Sequence, residues 1–355
     1  MHFSIKNIFA PRISLTDKIF FVQQLGVMIR TGVSLASGLR TLAEQTTSKS
    51  FKVILTDIQQ MVERGNVLSA GLEKYHNVFG ELFINMVKAG EVSGKLEDVL
   101  RQLFIQMKKD HEIVAKVRGA LTYPAIVLVM MVVIGIIMMV YVIPNITGIF
   151  KELNMELPLP TRILIGASDF MVAHGLLLSL AALIVGAGVI WFVQTPSGKK
   201  IWHGAKLKLP IVSGIIRKVN NARFARTMSS LLRTDIPIVQ SFEITANIVG
   251  NVHYKHALLE AKEKIKKGNA IEVSLQPYKH LFPPVLLQML AVGEQTGAVD
   301  TILEEIATFY EDDVAQTMNE LPTIIEPVLV VILGVSVGAM AVAVIMPMYS
   351  ISQGF

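Results

Sequence analysis

Three stretches of this chain of 355 residues contain no Asp, Glu, Lys or Arg: 119–150, 170–198 and 327–355. Each exceeds the roughly 20 residues that carry an α-helix across about 30 Å of hydrocarbon. Their most apolar parts, about 126–143, 176–193 and 328–345, are apolar on every side, whereas a helix buried in a soluble protein keeps a polar face. Composition agrees, since 52% of the residues are hydrophobic and 17% charged, against roughly 25% charged in ordinary soluble domains. Three membrane-spanning helices are therefore expected.

The distribution of charge sets an orientation. Lys and Arg number 16 in residues 1–119, two between the first and second spans (Lys151 and Arg162), 15 in 195–323, and none beyond. Cytoplasmic flanks carry the excess of Lys and Arg, and the residues nearest a span count most, here Lys116 and Arg118. The expectation is an inner-membrane, multi-pass protein with a cytoplasmic N-terminus and an external C-terminus. The net charge of +5 follows from this placement, so no direct nucleic-acid partner is inferred. Residues 1–6 lack the apolar core and small-residue cleavage site of a secretory signal. Cysteine is absent, which excludes disulfides, thiolate zinc sites and cysteine nucleophiles.

Sliding the chain against itself by 203 positions aligns its two charged segments without a gap. Phe21 falls on Phe224, Arg30-Thr31 on Arg233-Thr234, Gly65-Asn66 on Gly268-Asn269, Tyr75 on Tyr278, Phe79 on Phe282 and Gly90-Glu91 on Gly293-Glu294. The register reaches into the spans, where Pro124, Gly135 and Pro144 meet Pro327, Gly338 and Pro347. Phe21, Leu25, Met28 and Ile29 form a helical stripe that Phe224, Met228, Leu231 and Leu232 repeat. Thr31-Gly32 and Thr234-Asp235 end that helix, and further helices are expected at about 35–45, 51–64, 67–73, 80–89 and 95–115. The fold class is all-α: two homologous cytoplasmic helical bundles, each followed by a transmembrane helix, with an additional middle span that returns the chain to the cytoplasm. The expected layout is an N-terminal arm (1–18), bundle 1 (19–118), span 1 (119–144), an external loop (145–170), span 2 (171–194), bundle 2 (195–323), span 3 (324–347) and an external tail (348–355).

Gly-Glu-x-Ser/Thr-Gly stands twice, as Gly90-Glu91-Val92-Ser93-Gly94 and Gly293-Glu294-Gln295-Thr296-Gly297, each ahead of an amphipathic helix. With Tyr123-Pro124 and Glu326-Pro327 opening the first and third spans, the whole chain resembles the polytopic inner-membrane platform family of type II secretion, type IV pilus and competence machines. Two departures are a short stretch ahead of the first bundle and Asp235 where a helix-ending glycine is usual; Asp can supply the left-handed conformation needed there. The resemblance implies a non-catalytic hub in the lipid bilayer. Implied partners are a cytoplasmic hexameric secretion or pilus ATPase, pilin or pseudopilin subunits, other inner-membrane machine components and further copies of the chain.

Several residues admit more than one role. In the paired turns, Gly90, Gly94, Gly293 and Gly297 permit a tight turn, Ser93 and Thr296 are placed to cap the following helix, and Glu91 and Glu294 either accept hydrogen bonds or pair with Arg30 and Arg233, the ion pairs being the specific expectation because all four residues repeat in register. Glu326 stands at the mouth of an apolar span, where it is either a tolerated interfacial carboxylate or a contact for another membrane segment, with Pro327 in a first helical turn. Gly334-x-x-x-Gly338 offers a face for close helix packing. The acidic residues Glu304, Glu305, Glu311, Asp312 and Asp313 read as a solvated face, as a surface for a basic partner or as a site for a divalent ion. His253 and His256 lack the company of a metal site. No phosphate loop, His-Glu-x-x-His or Gly-x-Ser-x-Gly is present, so neither a cofactor nor an enzymatic activity is expected. The competing class is a component of a solute or peptide transporter, disfavoured by spans nearly free of ionisable groups.

Overall fold

The computed structural model describes residues 13–152 and 159–353. Most of the N-terminal arm (1–12), part of the external loop (153–158) and the end of the tail (354–355) lie outside the described residues. Among the described residues every element is helical. The first repeat comprises α1 (Leu15–Arg30), α2 (Leu35–Gln45), α3 (Lys49–Glu63), α4 (Leu68–Lys74), α5 (His76–Ser93) and α6 (Leu96–Ile137). A π-helical turn, Met138–Val142, leads to α7 (Ile143–Glu152), α8 (Leu159–Gln194) and α9 (Pro196–Lys206). The second repeat comprises α10 (Val212–Arg233), α11 (Ile238–Ile248), α12 (Val252–Lys266), α13 (Ile271–Leu275), α14 (Pro284–Thr296) and α15 (Val299–Gln353).

The chain divides into two compact units. One holds the residues up to 115 together with 203–315, that is, both bundles; the other holds 116–202 and the residues from 316 onward. In the bundles, polar side chains start the helices as the sequence requires. Ser14, Ser34 and Ser48 accept the amides of Asp17, Ser37 and Phe51, and Asn251 accepts that of His253. Gly32 (φ +83°) and Asp235 (φ +61°) both end their helix in the left-handed conformation. Asp235 thus supplies what the sequence asked of it.

The two cores are built alike and filled differently. Phe21, Phe51, Phe79 and Phe83 cluster in bundle 1, with ring centroids 5.1–6.4 Å apart. In bundle 2, Phe224 meets Phe242 and Phe282, and Tyr254 stands where bundle 1 has Phe51. The Tyr254 hydroxyl is wholly buried and donates to the Leu281 carbonyl at 2.7 Å; burial pushes its pKa far above the usual phenol range. Asn221 also donates to that carbonyl, at 3.2 Å. The matching carbonyl of bundle 1, Val78, takes the ammonium of Lys18 at 2.8 Å, whose pKa burial pushes down. Lys18 and Asn221 are 203 positions apart, so one carbonyl is answered in each repeat by different chemistry at one aligned position. Leu231, Ile236 and Ile244 of the second repeat complete the core of the first.

Among the described residues three helices are long and apolar enough to cross a membrane. Their large apolar side chains, such as Val129, Leu183 and Val331, face outward, as lipid contact requires. The spans differ from expectation at one proline. Pro327 is not in a first helical turn but lies inside α15, as Pro124 lies inside α6, and each removes one amide donor and releases the carbonyl four residues back. Continuous helices tolerate this in membranes. At the π turn, the buried Ser168 of α8 donates its hydroxyl to the Met139 carbonyl. Met139 lies five residues before Pro144, which has no amide to offer it. His174 kinks α8 and stacks on Phe170 at 4.8 Å.

Removing a core ring leaves a cavity, whereas removing the tyrosine hydroxyl leaves the volume filled. Phe224→Ala is expected to destabilise the chain by about 3–5 kcal/mol and Tyr254→Phe by about 1 kcal/mol, measured by thermal unfolding in detergent.

Candidate functional site

Each Gly-Glu-x-Ser/Thr-Gly segment is the last turn of a helix followed by one left-handed residue, not a loop beginning at its first glycine. The α5 helix runs to Ser93 and α14 to Thr296, and Gly94 (φ +68°) and Gly297 (φ +70°) reverse the chain. The amides of Lys95 and Ala298 return to the carbonyls of Gly90 and Gly293, both at 2.9 Å, closing a Schellman turn. Gly90 and Gly293 are small because the next helix passes over them. A Cβ at Gly90 would lie 2.8 Å from Val99 Cγ2 and 3.2 Å from the Leu96 Cα, and one at Gly293 3.3 Å from the Val299 Cα.

The glutamates act at a distance. Glu91 accepts the amides of Leu68 and Ser69, the second at 3.0 Å. Glu294 accepts the amide of Ile271 with both oxygens, at 2.8 and 3.1 Å. These amides open α4 and α13, whose N-cap positions are Val67 and Ala270, residues with no side-chain acceptor. A carboxylate from 23 positions downstream therefore does what a capping Ser or Asp would do locally.

Two expectations are corrected here. Glu91 does not pair with Arg30, nor Glu294 with Arg233, because those carboxylates are already held by backbone amides. Arg233 reaches Asp300 at 3.7 Å and Glu304 at 3.5 Å instead, while Arg30 lines an open groove beside Glu97 and Phe104. Ser93 and Thr296 do not cap the following helices; their hydroxyls bond back to Ala89 and Val292, each at 2.8 Å, as Ser and Thr do in a closing helical turn.

The strongest electrostatic feature escaped the sequence reading. Arg226 of α10 is only 4% exposed. It grips Glu311 through Nε at 2.6 Å and NH2 at 3.0 Å, and its NH1 bonds Glu304. Burial pushes the guanidinium pKa down, and the two carboxylates more than reverse that. Burial likewise pushes Glu304 up, but Arg226, Arg233 and Ser229 hold it below the usual carboxylate range. Around this centre the two repeats touch. Gln106 of α6 donates to Thr227 and accepts from Ser230, both at 3.2 Å. Lys109 reaches Glu311 at 3.3 Å, Asp110 meets Arg223 at 2.6 Å, and Lys95 meets Asp235 at 2.8 Å. A signal for it does exist in the alignment. Arg226, Glu304 and Glu311 fall on Gln23, Arg101 and Lys108, and these mismatches mark where the repeats have ceased to be equivalent.

Part of the acidic group is thereby spent within the chain, including Asp313, which meets Lys218 at 2.7 Å; Glu305 and Asp312 stay exposed. His256 lies 3.6 Å from Glu260, and among the described residues no three His, Asp or Glu side chains gather as metal ligands. Glu326 and Pro327 are exposed on α15. A Cβ at Gly334 or Gly338 would meet no atom within 4 Å, so that small-residue face is uncovered in the single chain.

Glu91→Ala and Glu294→Ala are each expected to cost about 1–2 kcal/mol through the lost cap, and Arg30→Ala less than about 0.5 kcal/mol, in thermal or denaturant unfolding of the solubilised chain. Arg226→Ala, which leaves Glu311 with Lys109 alone and Glu304 with Arg233 and Ser229, is expected to cost about 3 kcal/mol. Because folding lowers the Glu304 pKa from its ordinary value of 4.5, its contribution is complete above about pH 4.5 and fades as the pH falls through the folded-state value. Acid should therefore destabilise the native chain more steeply than Glu304→Gln.

The sequence matches the family described as "Type II secretion system (T2SS), protein F" twice, over residues 21–144 and 224–347, the offset of 203 seen in the internal alignment. A type IV pilus assembly protein PilC of Thermus thermophilus is 36% identical over 337 residues, covering 95% of this chain and 83% of the relative. The Myxococcus xanthus protein of the same name is 33% identical, with 95% and 80% covered. A type II secretion system protein F of Pseudomonas aeruginosa is 30% identical, with 97% and 85% covered. With two matched copies in register, three apolar helices and the glycine–glutamate turn formed alike in both halves, the chain belongs to the type II secretion system protein F family.

Proposed function

We propose that the chain is a non-catalytic platform in the inner membrane of a type IV pilus or type II secretion machine. The observation that carries this reading is the duplicated family match combined with helix continuity, since α6 and α15 each run from the last bundle helix into an apolar span without interruption. Relatives named for pilus assembly and for type II secretion support a role in that pair of machines. In this reading both bundles lie in the cytoplasm, the N-terminus is inside and the C-terminus outside, with Lys116 and Arg118 flanking the first span on the cytoplasmic side.

The finer steps belong to the same proposal. A cytoplasmic hexameric ATPase binds the bundles and supplies the energy. Movement of a bundle passes along its closing helix, which has no loop to absorb it, to the place where pilin-like subunits are added or removed. Glu326 and the Gly334–Gly338 face of α15 are the candidates for contact with those subunits, because both are exposed and the glycines admit a close helix.

Affinity purification of the tagged full chain in mild detergent tests the reading. Co-purification of the assembly ATPase, reduced by charge reversals on exposed bundle residues, is the expected result. Recovery of the other inner-membrane components of the machine without any ATPase would overturn the coupling role.

A further inference from the structure

The two repeats do not meet through a two-fold axis. The contact uses the α5/α6 side of the first repeat and the α10/α11 side of the second together with Glu311 of α15: Gln106 on Thr227 and Ser230, Lys109 on Glu311, and Asn85 accepting from Gln240 at 3.3 Å. Because the repeats are homologous, each also carries the other's surface. The second repeat has a counterpart of the α5/α6 side on α14/α15, and the first has a counterpart of the α10/α11 side on α1/α2. A head-to-tail contact of this kind always leaves one donor surface and one acceptor surface unused.

Both unused surfaces look like an interface. Transposing the contact by 203 positions turns Gln106 into Phe309, which is 59% exposed on α15, and Ser230 into Val27, which is 40% exposed on α1. Beside Val27 lies an open groove of about 190 Å³ lined by Val22, Gly26, Leu100 and Phe104, with Phe20 at its edge, 49% exposed. In the second repeat the equivalent space is filled, since Arg226 and Ser229 stand in place of Gln23 and Gly26 and both bond Glu304. Three of the contacts change together, whereas Lys95–Asp235, Asp110–Arg223 and Glu81–Asn247 transpose to Ala298 with Gly32, Asp313 with Phe20 and Pro284 with Glu44, which form no such pairs. Polar Gln106 on Thr227 and Ser230 becomes apolar Phe309 on Gln24 and Val27. The ion pair Lys109–Glu311 becomes Asp312 against Lys108, opposite charges with the signs exchanged. Asn85 with Gln240 becomes Gln288 with Ser37, again a hydrogen-bonding pair. Asp313, transposed from Asp110, is already held by Lys218.

We propose that a second copy of this chain docks its α14/α15 surface, led by Phe309, into the α1/α6 groove at Val27, repeating between molecules the contact that joins the repeats within one. The occupant is argued from this internal template and from the exchanged charges. The same contact made by every chain links molecules head to tail, as a ring where the rotation closes.

The chain has no cysteine, so introduced thiols report cleanly. Val27→Cys and Phe309→Cys in one full-length chain, treated in membranes with a short thiol-to-thiol crosslinker, should give a ladder of covalent multimers. Chains carrying one substitution each should give dimers when co-expressed and none when expressed alone. Gln106→Cys with Ser230→Cys, which bridges the observed contact inside one chain, verifies folding and reagent. Asp312→Lys should lower the multimer yield several-fold, and Lys108→Asp in the same chain should restore it. The proposal is overturned if the internal pair crosslinks and the Val27/Phe309 pair does not, if either single variant crosslinks to itself, or if Phe309→Cys joins a different polypeptide.

Discussion

Everything in this fold is arranged around polar backbone groups that have no water to turn to. Inside hydrocarbon the constraint is absolute, and it makes the closing helix of each repeat continue unbroken into the apolar stretch. The π turn at Met138–Val142 shows the same demand on a small scale, where Ser168 donates to the Met139 carbonyl that Pro144 cannot serve. In the bundles the demand returns at helix starts. Val67 and Ala270 cannot cap, so Glu91 and Glu294 reach across to do so. A motif that reads as a charged turn with a partner to find is thereby a device for finishing another helix.

What could be read in the sequence follows from this distinction between local and distant requirements. Spans depend on hydropathy within one window, and duplication depends on register, so both were legible. So was the left-handed Asp235, because Thr234-Asp235 aligns with Thr31-Gly32 and a helix-ending residue has few conformations available. The cap provided by Glu91 was not legible, since its partner lies 23 positions upstream and is a backbone amide that carries no sequence signature. Arg30 and Arg233 were attractive partners only because they repeat in register, and repetition shows homology without showing contact. Pro327 misled for a related reason. The rule that proline begins a helix rests on soluble proteins, and this proline sits within a helix whose neighbouring apolar turns hold it in place.

The network around Arg226 shows how a duplicated fold acquires asymmetry. A buried guanidinium is tolerable only with carboxylates in direct contact, and Glu304 and Glu311 supply them from a single helix at a spacing of seven residues, two turns apart on one face. In the first repeat the same places hold Gln23, Arg101 and Lys108 around a groove. The shared backbone thus presents a filled, charged seam on one side and an open apolar one on the other, and the difference is carried by a few side chains.

That seam has an evolutionary consequence. Two copies born identical could at first have exchanged segments freely, each correcting the other. Once Arg226 depended on two acids, transfer of that arginine alone to the first copy would set it beside Arg101 and Lys108, and transfer of the glutamine in the opposite direction would abandon Glu304 and Glu311 without their cation. Recombination between the halves then costs the second copy its buried pairing, whereas the exposed Gln23, Arg101 and Lys108 of the first hold no such dependence, so the two copies cease to be interchangeable in one direction.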